Sequence, residues 1–290
     1  MLLCNNCPRQ CGAVRTIDSN VGGVCGVPEL PKIARAGLHF WEEPCISGKN
    51  GSGTVFFSGC SLGCVYCQNF NISHNNFGKT VSYERLAELF KELEGLGAHN
   101  INLVNPTHYF HAIEKAFDIY RPKIPVVYNS GGFDLCKNIN KNLFDIYLFD
   151  YKYFNNDTAL KYSKADNYVD VVKKAILSAY NLIPKPIYED NIMKKGIIIR
   201  HLILPQHTKE TLDIISWCAQ NVPNAVISIM SQYIPMYKAE NYKEINRTIT
   251  KREYDKVLDY IIDLNLENVI VQERSSANDK FIPQFDLTGI

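Results

Sequence analysis

Residues 54–67 read Thr-Val-Phe-Phe-Ser-Gly-Cys-Ser-Leu-Gly-Cys-Val-Tyr-Cys. It begins with a short apolar run rich in β-forming residues, which predicts a strand that ends at Gly59. Cys60, Cys64 and Cys67 follow at once in the segment 60–67, which we call the cysteine loop. Iron–sulfur clusters are normally held by four cysteines. Three ligands would therefore leave one iron open, as catalytic zinc sites keep an open position.

The rest of the chain continues an alternation of strands and helices. Two helices have clear N-terminal signals, which are Ser82 as an N-cap and Thr250 with Glu253 as a capping box. Strands separated by helices predict parallel βαβ units with both faces of the sheet covered. Six or seven such units predict an α/β fold that is an open or incomplete version of the (β/α) barrel. The further candidate strands are residues 101–104, 126–128, 146–149, 196–200, 225–230 and 269–272.

Polar residues follow these strands at their carboxyl ends, where the active sites of such barrels lie. We therefore expect six strand ends to face one mouth. Each polar residue there has a second interpretation, as a hydrogen-bonded group without chemistry. The residues are Asn105 and Thr107, Asn129, Asp150 and Lys152, Arg200, and Gln232.

The first 50 residues are rich in Cys, Gly and Pro and have little periodicity. We predict a Cys-rich metal-binding module at residues 1–50 and a barrel with a C-terminal extension at residues 51–290. Cys4, Cys7, Cys11 and Cys25, the N-terminal cysteine group, supply enough thiolates for a zinc site or a second [4Fe–4S] cluster. Their spacing does not choose between the two.

Four charged residues near the N-terminus are interpreted without chemistry. Arg9 and Arg15 are expected to solvate the module. Glu42 and Glu43 are expected to lie in a solvated connector, with capping of the barrel mouth as the alternative.

The composition excludes some classes of partner. The formal net charge of the 290 residues is +1, and no run of Lys or Arg is long enough to bind nucleic acid or a membrane surface. The sequence has neither a secretory signal nor an uninterrupted apolar stretch of about 18 residues. We expect a cytoplasmic protein, and clustered cysteines in a reducing compartment favour metal over disulfides.

The spacing Cys-x3-Cys-x2-Cys, with Tyr66 before the last cysteine, closely resembles the signature of the radical S-adenosylmethionine (SAM) superfamily. The resemblance implies a partial (β/α)6 barrel and a [4Fe–4S] cluster on Cys60, Cys64 and Cys67 whose open iron chelates SAM. It also implies a reductant, such as flavodoxin or ferredoxin, whose electron cleaves SAM to a 5′-deoxyadenosyl radical. The alternative is a zinc knuckle completed by His74.

The flanking residues resemble the branch related to pyruvate formate-lyase activating enzymes. The similar stretches are residues 51–60, Gln68-Asn69, 129–133, 150–152 and 200–205. One stretch departs from the family, because residues 105–109 read Asn-Pro-Thr-His-Tyr where most members have Gly-Gly-Glu. A divergent activating-enzyme-like subgroup matches best. The resemblance implies that the cofactor contacts Tyr66, Asn105, Thr107, Asn129, Asp150, Lys152, Arg200 and Gln232.

The sequence thus predicts an enzyme that cleaves SAM and abstracts a hydrogen from a protein, such as a glycyl-radical enzyme or another peptide, or from a small molecule. The alternative is an Fe–S or zinc protein that transfers electrons or scaffolds a partner without radical chemistry.

Overall fold

A computed structural model of the chain describes residues 4–277 and 283–290. Its centre is a sheet of mainly parallel strands with helices in the crossovers, so the predicted α/β partial barrel is confirmed. We number strands β1–β12 and helices α1–α8 along the chain. Across the main sheet the order is β12 (Val269–Val271), β11 (Val226–Met230), β10 (Ile192–Leu202), β8 (Ile146–Asp150), β7 (Val126–Ser130), β6 (Ile101–Val104), β4 (Ser52–Phe57), β3 (Lys32–His39) and β5 (Lys79–Thr80). Strand β9 (Ile187–Glu189) pairs with β10 outside this path.

Seven of the described strands run parallel to one another, and their sequences explain why. Strand β8 reads Ile-Tyr-Leu-Phe-Asp, and its first four residues are buried, as expected for a strand covered on both faces. The parallel strands are β4 (Ser52–Phe57), β6 (Ile101–Val104), β7 (Val126–Ser130), β8 (Ile146–Asp150), β10 (Ile192–Leu202), β11 (Val226–Met230) and β12 (Val269–Val271).

The helices cover this sheet, and both expected N-terminal signals are present. The Ser82 side chain accepts a hydrogen bond from the backbone N–H of Arg85, and Thr250 and Glu253 form the reciprocal capping box. The helices are α1 (Pro44–Ser47), α2 (Phe70–Ser73), α3 (Tyr83–Gly95), α4 (Phe110–Ile119), α5 (Asn156–Ser163), α6 (Tyr168–Leu182), α7 (Thr208–Asn221) and α8 (Lys251–Asp263).

The region before the cysteine loop has more regular structure than its composition indicates. It holds a short hairpin of β1 (Val14–Arg15) and β2 (Asn20–Val21), and then β3 (Lys32–His39). Strand β3 pairs antiparallel with β4 and with β5 (Lys79–Thr80), so the barrel sheet extends across residue 50. The division at residue 50 stays a prediction.

Two further segments border the sheet. Strand β9 (Ile187–Glu189) forms an exposed hairpin with β10. The C-terminal segment runs along β3, where the backbone N–H of Ala36 donates to the Thr288 carbonyl at 2.9 Å. Within the described residues, no helix is both long and apolar enough to cross a membrane.

Candidate active site at the carboxyl ends of the strands

The cysteine loop follows β4 and turns sharply at two glycines. Gly59 and Gly63 have φ angles of 83° and 76°, in the left-handed region that glycine adopts without strain. A side chain at Gly59 would collide with Val27 and with the Cys25 carbonyl, so the N-terminal region packs directly against the start of the loop.

Each sulfur of the cysteine loop has a hydrogen-bond partner of its own. The backbone N–H of Leu62 lies 3.4 Å from Cys60 Sγ. The hydroxyls of Ser163 and Ser73 lie 2.9 Å from Cys64 Sγ and 3.1 Å from Cys67 Sγ. Hydrogen bonds to sulfur stabilise the thiolate, which is the form that binds metal.

Burial makes two of these thiols, Cys64 and Cys67, hard to ionise without a positive partner. It raises the pKa of Cys64, although the positive charge of Lys152 acts in the opposite direction. Burial, together with negative charge on Cys64 and Cys60, raises the pKa of Cys67 to about 12. The three sulfurs are therefore close enough to interact, and a cluster of iron ions would supply the missing positive charge.

The loop opens into two adjoining cavities of about 210 and 140 Å³. Together they are near the lower end of the range for ligand pockets. All six predicted strand ends contribute to their walls, through Cys60 and the cysteine loop after β4, Asn105 and Thr107 after β6, Asn129 on β7, Asp150 and Lys152 after β8, Arg200 on β10, and Gln232 after β11.

Arg200 is the centre of the charges at this mouth. Its guanidinium donates to Asp150 Oδ1 at 2.7 Å, to Glu42 Oε2 at 3.1 Å and to Asn129 Oδ1 at 3.1 Å. Lys152 Nζ lies 2.7 Å from Asp150 Oδ2. Burial alone would raise the pKa of Asp150, but the charges of Arg200 and Lys152 outweigh it and hold that pKa well below its usual range.

Glu42 lines the mouth and Glu43 is buried beside Arg200, so their assignment to a solvated connector is wrong. Their side chains are only 6% and 5% exposed, and Arg200 lies 3.1 and 3.9 Å from them. Burial raises the pKa of Glu43, and the Arg200 charge offsets only part of this effect. One feature of the sequence could have indicated their position. Glu42 and Glu43 directly precede Pro44, which begins helix α1, and this short, partly buried helix packs beside β10.

The side chains of Asn105 and Thr107 line the smaller cavity but bond to protein groups. Asn105 donates to the Gly59 carbonyl at 2.5 Å, and Thr107 donates to Asp134 Oδ1 at 2.7 Å. Tyr128 and Ser130 donate to the same buried carboxylate, at 2.6 and 2.5 Å. Asp134, which the sequence did not single out, thus ties together the loops after β6 and β7.

The other two predicted contact residues lie in the larger cavity. Tyr66 is buried there, and its hydroxyl donates to the Tyr153 hydroxyl at 2.7 Å. The Gln232 side chain accepts a hydrogen bond from Gln272 at 2.9 Å. Both keep surface toward the cavity.

The N-terminal cysteine group also comes together. Cys7 and Cys25 are buried. Burial, together with negative charge on Cys25, Cys4 and Cys11, raises the pKa of Cys7 to about 12. The Arg15 guanidinium lies 3.8 Å from Cys4 Sγ.

Arg9 and Arg15 do not simply solvate the module, so that interpretation is wrong. Arg9 donates to the carbonyls of Ser61 at 2.7 Å and Leu62 at 3.1 Å, both in the cysteine loop. It also donates to the carbonyl of Ser163 at 2.8 Å and to that of Lys164, at the end of α5. The turn between Cys7 and Cys11 is thereby fastened to the cysteine loop.

Arg15 makes a second link between the N-terminal region and the barrel. It donates to the His108 carbonyl at 2.7 Å and to that of Pro28. His108 itself is buried, with Nε2 2.8 Å from the Ser58 carbonyl, and burial lowers its pKa to about 4. His74, the possible fourth ligand of a zinc knuckle, has Nδ1 2.8 Å from the hydroxyl of Ser73.

The three thiols of the cysteine loop are the donor set that an iron–sulfur cluster uses. No three His, Cys, Asp or Glu side chains within residues 4–277 and 283–290 are arranged to hold one metal ion. Three hydrogen-bonded thiols beside a cavity, with Cys64 buried and Cys60 and Cys67 half-buried, fit a cluster with one open iron.

Comparison with known proteins assigns the family. The model of the radical SAM superfamily matches residues 54–218, which is more than half of the chain. The chain belongs to the radical SAM superfamily. Members of this family use a [4Fe–4S] cluster and SAM for radical chemistry. The match therefore supports a radical SAM enzyme over the alternative, a metal protein without radical chemistry.

One relative is similar over nearly all of this radical SAM chain. The uncharacterized protein MJ0674 of Methanocaldococcus jannaschii is 33% identical over 278 residues, which are 91% of this chain and 75% of that protein.

Two solved structures of one protein share the fold. The structure of SuiB from Streptococcus suis bound to the precursor peptide SuiA has a TM-score of 0.54 and 13% identity, over 74% of this chain and 46% of SuiB. SuiB bound to SAM gives a TM-score of 0.52 and 11% identity, over 74% of this chain and 48% of SuiB. The chain therefore spans less than half the length of the SuiB chains that it matches.

Proposed function

We propose that this radical SAM enzyme binds its cluster through Cys60, Cys64 and Cys67 and abstracts a hydrogen from a peptide segment, in the manner of activating enzymes. The observation that carries the proposal is the cysteine loop itself. Its three sulfurs, each with one hydrogen-bond partner, face the two adjoining cavities, which the carboxyl ends of six strands line.

The charges at the mouth suit the amino acid part of SAM. Lys152 and Arg200 are cations placed beside the cysteine loop, and they would bind the SAM carboxylate. Glu42 and Asp150 are carboxylates in the same cavity wall and would accept hydrogen bonds from its amino group or ribose. Tyr66 and Gln232 would then contact the remaining part of the cofactor.

The chain's own residues orient the cofactor and exclude water from it. Arg200 holds Glu42, Asp150 and Asn129 in one hydrogen-bonded array, so the mouth is organised before a ligand enters. The buried aromatic wall at Tyr66 keeps the cavity dry on that side. When bound, the cluster and SAM supply a 5′-deoxyadenosyl radical that removes the substrate hydrogen.

The size of the site favours a substrate that reaches in from outside. Two cavities of about 210 and 140 Å³ have room for little beyond one cofactor-sized ligand. Trp41 stands at the rim of the larger cavity and is 65% exposed, and its neighbour Phe40 is 51% exposed. Exposed aromatic side chains are typical of protein-binding surfaces, so a peptide segment fits this rim better than a small molecule does.

Cofactor cleavage is the first test. After anaerobic reconstitution and chemical reduction, the enzyme should convert SAM to 5′-deoxyadenosine, and no product from a fully loaded protein would refute the proposal. A deuterated candidate substrate should then transfer its label to 5′-deoxyadenosine. Label transfer from a metabolite, and from no peptide, would replace the peptide by a small-molecule substrate.

We also propose that the N-terminal cysteine group binds a second [4Fe–4S] cluster, with zinc as the alternative. Cys4, Cys7, Cys11 and Cys25 supply four mutually interacting thiols, and Arg9 fastens their loop to the cysteine loop. Such a cluster would receive electrons from a reductant such as flavodoxin or ferredoxin. Replacing Cys4 by Ala should remove about four irons per chain, whereas loss of zinc without loss of iron would support the alternative.

A further inference from the structure

A buried chain of hydroxyl groups connects the larger cavity with one sulfur of the cysteine loop. Tyr66 OH lies 2.7 Å from Tyr153 OH, which lies 2.6 Å from Ser163 Oγ, which lies 2.9 Å from Cys64 Sγ. Tyr66, Tyr153 and Ser163 are 6%, 1% and 0% exposed, so water does not compete for these bonds. The outer end of the chain, Tyr66, lines the larger cavity.

Ligation of iron fixes the direction of every bond in this chain. A Cys64 thiolate has no proton, so Ser163 must donate to it. Ser163 has one proton to give, so Tyr153 must donate to Ser163, and Tyr66 to Tyr153. All three hydroxyls therefore point their protons toward Cys64, and aligned hydrogen bonds of this kind strengthen one another.

The scaffold holds Ser163 in place for this contact. It is the last residue of α5, and its backbone carbonyl accepts a hydrogen bond from Arg9 at 2.8 Å. The backbone N–H of Val65, next to Cys64, donates to the Tyr162 carbonyl at 2.8 Å. The end of α5 and the cysteine loop thus form one connected unit.

We propose that Ser163 and Tyr153 are positioning residues that raise the reduction potential of the cluster on the cysteine loop. The inference rests on the proposed function, because it needs Cys64 to be a cluster ligand. The reduced cluster carries one more negative charge than the oxidised cluster. A proton donated to a ligand sulfur therefore stabilises the reduced state more, and hydrogen bonds to sulfur are among the factors that set cluster potentials.

The test is an anaerobic redox titration of the reconstituted full chain, followed by electron paramagnetic resonance. Ser163→Ala should shift the midpoint potential to a more negative value than that of the wild type. Tyr153→Phe keeps the ring and removes the hydroxyl that polarises Ser163, so it should give a smaller shift in the same direction.

Tyr151→Phe is the matched control. Tyr151 is also fully buried, and its hydroxyl has no hydrogen-bond partner within the described residues. Its removal should leave the potential unchanged, and iron content should be equal in all variants that are compared.

Two results would overturn the inference. One is an unchanged or less negative potential in both Ser163→Ala and Tyr153→Phe at full iron content. If Ser163→Ala does not take up its cluster, an unchanged potential in Tyr153→Phe alone would overturn the inference. The other is a wild-type chain that takes up no cluster on the cysteine loop, which overturns the ligand assignment first and this inference with it.

Discussion

Replacement of Arg9 should destabilise the protein far more than loss of a surface arginine. Arg9 donates to four backbone carbonyls, three of them at 2.7, 2.8 and 3.1 Å, and it has no carboxylate partner within the described residues. A hydrogen bond to a charged group contributes about 1.5–3 kcal/mol. Because Arg9 is only half-buried, water compensates for part of the loss, and we expect Arg9→Ala to cost about 3 kcal/mol in the free energy of unfolding.

The assay is urea unfolding of the metal-free chain, followed by tryptophan fluorescence. Trp217 packs against Tyr151 in the barrel and reports on its loss of structure. The control is Arg85→Ala, because Arg85 pairs with exposed Glu88 and Glu92 and should contribute no more than about 1 kcal/mol. Arg9→Lys keeps the charge but loses the planar guanidinium group, so its loss of free energy of unfolding should lie between those of Arg85→Ala and Arg9→Ala. An Arg9→Ala variant whose free energy of unfolding lies within about 0.5 kcal/mol of the wild type would show that these four hydrogen bonds do not stabilise the fold.

Three further predictions concern the barrel mouth and the core. Asp134→Ala leaves three buried hydroxyls without their acceptor and should lower the free energy of unfolding in urea by about 3–5 kcal/mol. Asp134→Asn should lower it less. Equal stability of the two variants would contradict this prediction. Arg200→Lys breaks the hydrogen-bonded array that holds Glu42 and Asp150, and it should weaken SAM binding about tenfold in calorimetry, a loss of about 1.4 kcal/mol. Unchanged affinity would contradict a role of Arg200 in SAM binding. Burial lowers the pKa of His201 to about 4, whereas a histidine in the unfolded chain has a pKa of about 6.5. As the pH falls, the unfolded chain therefore binds a proton at this histidine before the folded chain does. The free energy of unfolding that His201 contributes is lost between about pH 6.5 and pH 4. His201→Gln should reduce that slope by up to about 1.4 kcal/mol per pH unit, and an equally steep slope would contradict the assignment.

The sequence predicted the sheet well, because local signals and the fold agree there. Buried parallel strands need continuous apolar runs, and such runs mark β6, β7, β8 and β11 within one or two residues of their ends. The caps at Ser82 and Thr250 are short-range motifs that act within one turn of helix.

The sequence did not predict contacts between distant segments. Strand β3 lies in a region that reads as a loop, and it becomes a strand because the exposed edge of β4 offers it hydrogen bonds. Glu42 and Glu43 look like solvated charges until the chain places Arg200 beside them. The role of Arg9 depends on backbone carbonyl groups more than 50 residues away. Every residue has such a carbonyl, so the order of side chains in the sequence does not show which ones accept hydrogen bonds from Arg9.

The central claim is that the cysteine loop holds the cluster on which SAM acts. The most direct measurement is the iron content of a variant in which Cys60, Cys64 and Cys67 are all replaced by Ala, together with its paramagnetic spectrum before and after addition of SAM. We predict the loss of about four irons per chain, with loss of every spectral change caused by SAM. A variant that keeps its iron and still responds to SAM would contradict the claim.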